Sequence, residues 1–120
     1  MADVLKKQML ARLHLTKNGR TLYDQRFDSE TSDFAEFSQH RAVLATNMAI
    51  PEEIDLEGVD TGTMMALLTD QQIKVSVDSN TYQWTVSEFV MLSGSFTHVY
   101  VQNESTTNTA TIEVVVVDDA

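Results

Sequence analysis

The side chains able to bind a metal or move a proton are scattered along this sequence without a recognisable spacing. Its three histidines, His14, His40 and His98, fall in different segments and belong to no HxH or HExxH pattern. A zinc site needs three or four ligands that converge tetrahedrally, and the chain has no cysteine to supply any of them. We expect ordinary strand or surface histidines, no bound metal and no other cofactor.

Eighteen acidic residues make carboxylate chemistry the next candidate. Calcium takes six to eight oxygen ligands, but the acidic stretches at residues 28–33 and 52–60 lack the order of an EF-hand loop. With so many acids, a carboxylate pair at glycosidase separation arises by chance. Ser93 stands in Leu-Ser-Gly-Ser, not in the G-x-S-x-G of a nucleophile elbow. The sequence therefore predicts a protein that is not an enzyme.

Length, composition and charge narrow the class of protein and of partner. The chain has 120 residues, of which 42% are hydrophobic and 22% charged, as is typical of one globular domain. We expect a single domain over residues 1–120, with residues 1–8 as an extended N-terminal arm. The net charge of −10 argues against nucleic acid, whose phosphates need a basic face, and against an anionic membrane.

The charge is distributed unevenly along the chain. Residues 1–41 hold seven of the eight basic residues and have a net charge of +1, whereas residues 42–120 have a net charge of −11. Such asymmetry suits docking or head-to-tail contacts, and simple solubilisation by surface acids is the alternative. No apolar run resembles a secretion signal or approaches the ~18 residues of a membrane span, so we expect synthesis in a cytoplasm.

Alternation of apolar and polar residues at period two predicts the secondary structure. Residues 9–16 alternate, Asn18-Gly19 is a strong hairpin-turn signal, and residues 21–27 supply the return strand, on which Asp24 can pair with Arg12. Further short alternating segments follow as far as residue 117. Eight or nine short strands with frequent turns indicate an all-β fold, an antiparallel β-sandwich that we expect to be jelly-roll-like.

The terminal strand departs from this alternation. Its four consecutive valines are apolar on both faces, although one face of a sandwich strand is normally wet. Either a loop of the same chain or a second subunit covers the outer face, and we expect the second subunit. The predicted docking residues are Val4, Leu5, Met9 and Leu10 near the N-terminus and Val114, Val115, Val116 and Val117 in the terminal strand.

Four aromatic residues, Tyr82, Trp84, Phe89 and Tyr100, concentrate in the second half of the chain. Filling of the core is one interpretation, and a sugar-stacking platform on one sheet face is the other. The exposure of Trp84 discriminates between them.

Two sequence patterns in the second half of the chain, taken together, resemble those of a known group of proteins. Residues 70–77 have the form D-x-x-I-x-V-x-V, residues 92–103 have the form L-x-G-x-F-T-x-V-x-V-x-N, and a terminal β-strand follows. In this arrangement residues 60–118 resemble small virion structural proteins of tailed bacteriophages. The resemblance implies a β-sandwich component of the head, neck or tail.

From this resemblance we expect a capsid decoration, or cement, protein that stabilises the particle through non-covalent contacts. A neck or tail component is the alternative, and a carbohydrate-binding adhesion module is an alternative of a different class. The protein is then located in the virion and made in the host cytoplasm. Its partners are copies of itself, for example in a trimer, and a major capsid or other virion protein.

Overall fold

The computed structural model describes residues 5–119, and every regular element in this range is a β-strand. The all-β, antiparallel class predicted from the sequence is confirmed. The chain, expected above as one domain, divides into two compact units, of which the first ends at Asp33 and the second begins at Phe34. Residues 1–4 of the expected N-terminal arm, Val4 among them, lie outside the described residues.

The first unit is built around one hairpin. From residue 5 onwards this unit contains four strands, β1 (Lys6–Lys7), β2 (Leu10–Lys17), β3 (Arg20–Asp28) and β4 (Ser32–Asp33). β2 pairs with β3 and β1 pairs with β4, both antiparallel. The predicted turn is confirmed, since Asn18 and Gly19 both have positive φ values of 51° and 76°, as this type of hairpin turn requires.

The predicted ion pair across the hairpin is also present. The Arg12 guanidinium donates two hydrogen bonds to the Asp24 carboxylate, at 2.8 and 2.7 Å. These hydrogen bonds raise the pKa of Arg12 and lower the pKa of Asp24. Both side chains are exposed, so the pair contributes little to stability.

The second unit consists of two four-stranded antiparallel sheets. Its strands are β5 (Phe37–Leu44), β6 (Glu52–Glu53), β7 (Gly62–Thr69), β8 (Ile73–Val77), β9 (Trp84–Val86), β10 (Phe89–Phe96), β11 (Val99–Gln102) and β12 (Ala110–Val117). The first sheet has the order β10-β7-β12-β5, and the second has the order β6-β11-β8-β9. Residues 5–119 thus form twelve strands, against the expected eight or nine, and three of the twelve have only two residues.

In the second unit, the two strands in the middle of the sequence pair with each other, and each further pair encloses the previous one along the chain. β8 pairs with β9, β7 with β10, β6 with β11 and β5 with β12, all antiparallel. Additional pairings of β7 with β12 and of β8 with β11 join these pairs into the two sheets. The path is that of one long hairpin, bent so that successive pairs alternate between the sheets.

One apolar core contains side chains from both sheets, which gives the second unit a sandwich-like arrangement. Leu67 and Val114 come from the first sheet, and Val75 and Val101 come from the second. Residues 54–59, which connect β6 with β7, add three further buried side chains. β12 shows the expected period of two, because its residues alternate between buried and more exposed positions along the whole strand.

Asp78 joins two turns of the second unit. Its backbone has a φ of 54°, and its carboxylate accepts hydrogen bonds from the Thr97 N–H at 2.7 Å, the His98 N–H at 2.9 Å and the Thr97 hydroxyl at 3.1 Å. These donors, the Thr97 N–H foremost, hold the pKa of Asp78 below its usual range, although desolvation acts in the opposite direction.

We predict that Gly62→Ala destabilises the second unit by about 1–3 kcal/mol, the usual cost of overpacking a core. A Cβ atom at this position meets the Phe96 ring at 2.5 Å and Val116 Cγ1 at 2.7 Å, and both side chains are buried. Gly94→Ala is the matched control, since nothing lies within 4 Å of its Cβ position. Urea unfolding measures both, and equal midpoints contradict the prediction.

Asp78→Asn is expected to destabilise the protein at neutral pH and to do so less in acid. A carboxylate whose folded pKa is lowered stabilises the fold above its unfolded pKa of about 3.9, and that contribution disappears as the pH falls through the folded pKa. The difference in unfolding free energy between wild type and variant should therefore shrink from pH 6 to pH 3. Asp60→Asn removes the same charge at an exposed site and should change little at either pH.

Candidate interaction surfaces

The histidines that could have formed a metal site are dispersed. His14 lies in β2, His40 in β5, and His98 in the turn between β10 and β11. His98 Nδ1 lies 2.6 Å from Glu53 Oε1, and its ring stacks on Tyr100 with 6.2 Å between centroids. Among residues 5–119, no three His, Cys, Asp or Glu side chains are grouped so that they could hold a metal ion.

The aromatic platform envisaged from the sequence is not assembled by Trp84 and Tyr100. Trp84 lies opposite Val75, whereas Tyr100 lies opposite Ser76. Because neighbouring residues of a strand point to opposite faces, the two rings lie on opposite faces of the second sheet. Trp84 is 37% exposed on the edge strand β9, so it does not fill the core, and the sugar-stacking interpretation holds for Trp84 alone.

The first sheet has an apolar face that is directed away from the core. The register places Val115 opposite Ala66, and Ala66 opposite Met91, so these side chains share one face. We call this the outer sheet face. Its apolar members are Phe37, Val43, Met64, Ala66, Leu68, Phe89, Met91, Val115 and Val117.

Several large side chains of the outer sheet face are well exposed. Leu68 is 55% exposed and Phe89 is 58% exposed, while Val115 and Val117 are half-buried. An antiparallel sheet that faces water on one side normally carries polar residues there. Contiguous exposed apolar surface instead marks a site of interaction.

Polar groups on and around this face are mainly acidic. Glu113 stands among the apolar residues and accepts a hydrogen bond from Gln39 Nε2 at 2.7 Å, with Arg41 4.0 Å away. Asp70, Glu88 and Arg41 line the same shallow groove as Leu68 and Glu113, so three of its four charged residues are acidic. The β7–β10 half of the outer sheet face is therefore apolar with an acidic border.

The hairpin of the first unit has an apolar face with exposed side chains. Leu15 lies opposite Tyr23 and Ala11 lies opposite Phe27, while Leu13 lies opposite Gln25. These residues share one side, which we call the hairpin face. The other side carries charged and polar residues, including both partners of the Arg12–Asp24 pair.

The hairpin face is strongly exposed for an apolar surface. Leu13 is 48% exposed, and Leu15, Tyr23 and Phe27 are exposed to a similar extent. A two-stranded hairpin without a covering layer is only marginally stable in water. The hairpin face is therefore a second candidate interaction surface.

The docking residues predicted from the sequence are separated by the structure. Leu5 and Leu10 are exposed, and Met9 is half-buried. Val114 and Val116 are each 1% exposed and belong to the core, so they are not available to a partner. Val115 and Val117 lie on the outer sheet face.

The larger part of both apolar faces was not singled out from the sequence. The run Met64-Met65-Ala66-Leu67-Leu68 is apolar at every position, which is the same two-faced signal as that of the four valines. The alternation of residues 9–16 places Leu13 and Leu15 on one face of a strand, but their exposure depends on what packs against that strand. The apolar run and this alternation are the sequence signals that indicate the outer sheet face and the hairpin face.

Comparisons with protein-family models, with curated proteins and with solved structures find no match for this chain. Within the described range, no helix is long and apolar enough to cross a membrane.

We predict that substitution of two adjacent valines of β12 lowers the free energy of unfolding by unequal amounts. Val114→Ala leaves a cavity in the core and should lower the free energy of unfolding by about 2 kcal/mol. Val115→Ala, on the outer sheet face, should lower it by less than about 0.5 kcal/mol. Urea unfolding at low protein concentration measures both. A larger loss for Val115→Ala contradicts the assignment of the two faces.

Proposed function

We propose that this protein is a structural subunit of a tailed-bacteriophage particle, most specifically a capsid decoration protein. The observation that carries the proposal is the outer sheet face, a contiguous apolar surface that includes Leu68, Phe89 and Val115. A surface of this kind serves contact with other subunits. The resemblance of residues 60–118 to small virion structural proteins supports the choice of particle.

We further propose that β5–β12 form an eight-stranded jelly roll. The support is the nested pairing of β5 with β12, β6 with β11, β7 with β10 and β8 with β9. Jelly rolls occur in viral capsid proteins, lectins and cupins. Because one fold serves many functions, the choice among these depends on surfaces rather than on topology.

The surfaces favour assembly over sugar binding. A sugar-binding platform needs aromatic rings on one face, and Trp84 and Tyr100 lie on opposite faces of their sheet. The outer sheet face instead offers aliphatic and aromatic side chains over four strands, as packing between subunits requires. The proposed partners are copies of this chain and a major capsid or other virion protein, with no cofactor. As a neck or tail component, the protein would contact its partners through the same surfaces.

The experiment is to purify particles from the source of this sequence and to identify their proteins by mass spectrometry and cryo-electron microscopy. We expect the protein in a fixed copy number per particle, with the β5–β12 half of the outer sheet face against a neighbouring subunit. Absence from the particles overturns the proposal. Density at the neck or tail rather than on the head selects the alternative position.

A pair of variants tests the surface itself. Val115→Asp introduces a charge on the outer sheet face and should reduce incorporation into particles at least tenfold. Thr85→Asp introduces the same charge on the second sheet, where the native threonine accepts a hydrogen bond from Lys74, and should leave incorporation unchanged. Equal incorporation of the two variants contradicts the assignment of this face. Urea unfolding confirms that both variants are folded.

A further inference from the structure

We infer that the hairpin face of one copy packs on the β7–β10 half of the outer sheet face of a second copy. The inference rests on the proposed function, since it identifies which partner occupies part of this surface. It also accounts for the two uncovered apolar faces with a single contact.

The two faces match in character and in size. The hairpin face presents Leu13, Leu15, Tyr23 and Phe27, and the β7–β10 half presents Leu68, Phe89 and Met91. Strands lie about 4.8 Å apart, so a hairpin is about 10 Å wide and a four-stranded sheet is about 20 Å wide. A docked hairpin covers half of the outer sheet face and leaves the β5–β12 half for the particle.

The charges of the two faces are complementary. Lys17 and Arg20 lie opposite each other at the tip of the hairpin, both are exposed, and neither has an ion-pair partner within residues 5–119. The β7–β10 half is bordered by Asp70 and Glu88, in a groove that Arg41 of β5 also lines. A basic tip beside an acidic border favours the association of hairpin and sheet over other pairings.

Net charge favours packing of the hairpin on the sheet of a second copy over packing of sheet on sheet. Residues 1–33 carry six basic and five acidic residues, a net charge of +1, while residues 34–120 carry two basic and thirteen acidic residues, a net charge of −11. Packing of sheet on sheet brings two units of net charge −11 together. Packing of hairpin on sheet avoids this repulsion and joins unlike surfaces.

A contact between unlike surfaces has a defined consequence for assembly. Each copy offers one hairpin face and one outer sheet face, so each can bind two neighbours. Such heterologous contacts generate a ring when the rotation closes and an open chain when it does not. A trimer is one closed form.

The test uses two variants that each destroy one surface. Leu13→Asp disables the hairpin face, and Leu68→Asp disables the outer sheet face. We expect wild type to form oligomers by light scattering and each variant alone to be monomeric. We expect an equimolar mixture to form a 1:1 dimer, in which the hairpin of the Leu68→Asp protein docks on the sheet of the Leu13→Asp protein.

The other outcomes overturn the inference in recognisable ways. A Leu13→Asp protein that remains oligomeric indicates packing of sheet on sheet, and a Leu68→Asp protein that remains oligomeric indicates packing of hairpin on hairpin. Monomeric wild type at millimolar concentration, or a mixture that stays monomeric, also overturns it. Thr16→Asp, on the charged side of the hairpin, and Thr85→Asp are the matched controls and should retain the oligomers.

A second set of variants keeps the inference testable if Leu13→Asp impairs folding. Lys17→Glu combined with Arg20→Glu reverses the charge of the tip and should weaken association about tenfold at low salt. The loss should diminish at high salt, because salt screens exposed charges. Equal association of wild type and double variant at low salt contradicts the docking geometry.

Failure of this inference is distinguishable from failure of the proposed function. If the protein is found in particles but the mixed variants do not associate, the contact between copies is wrong and the structural role stands. If the mixture forms a 1:1 dimer but no particle contains the protein, the contact stands and the virion role is wrong.

Discussion

The packing of alternate β12 side chains against the second sheet is the interaction on which the rest of the fold depends. β12 is paired on both sides, with β5 and with β7, and Ile112, Val114 and Val116 are buried between the sheets. Burial of each such side chain contributes roughly 1.5–3 kcal/mol. Because residues of a strand alternate, fixing these three inward also fixes Val115 and Val117 outward.

The outer sheet face therefore follows from the same constraint as the core. Pairing of β12 with β7 and of β7 with β10 brings the outward residues of three strands into one surface, in which Val115, Ala66 and Met91 are cross-strand neighbours. Most residues on the outer side of these strands are apolar, although Glu113 also lies there. An all-polar outer face would leave the core unchanged, so packing of the core does not require this composition, whereas the contact with another subunit that we propose does.

The hairpin of the first unit also has an exposed apolar face, in an element of only two long strands. The turn and the cross-strand ion pair specify the local shape of the hairpin, but neither buries apolar surface. Backbone hydrogen bonds alone contribute too little free energy to make a two-stranded hairpin stable in water. The basic tip and the acidic second unit carry charges of opposite sign. In the contact that we propose, this electrostatic attraction acts over a longer range and orients the two surfaces, while the apolar faces supply most of the free energy.

The sequence by itself determined the elements whose signals are local. Asn18-Gly19 specified a hairpin, since only residues that tolerate positive φ fit its turn, and the repeated alternation specified an all-β chain. What only the tertiary structure decided was the environment of each strand face. Alternation states that Val114 and Val115 point to opposite sides, but not which side meets the second sheet. Likewise, the opposite orientations of Trp84 and Tyr100 depend on which distant strands become neighbours, and that is a property of the whole chain.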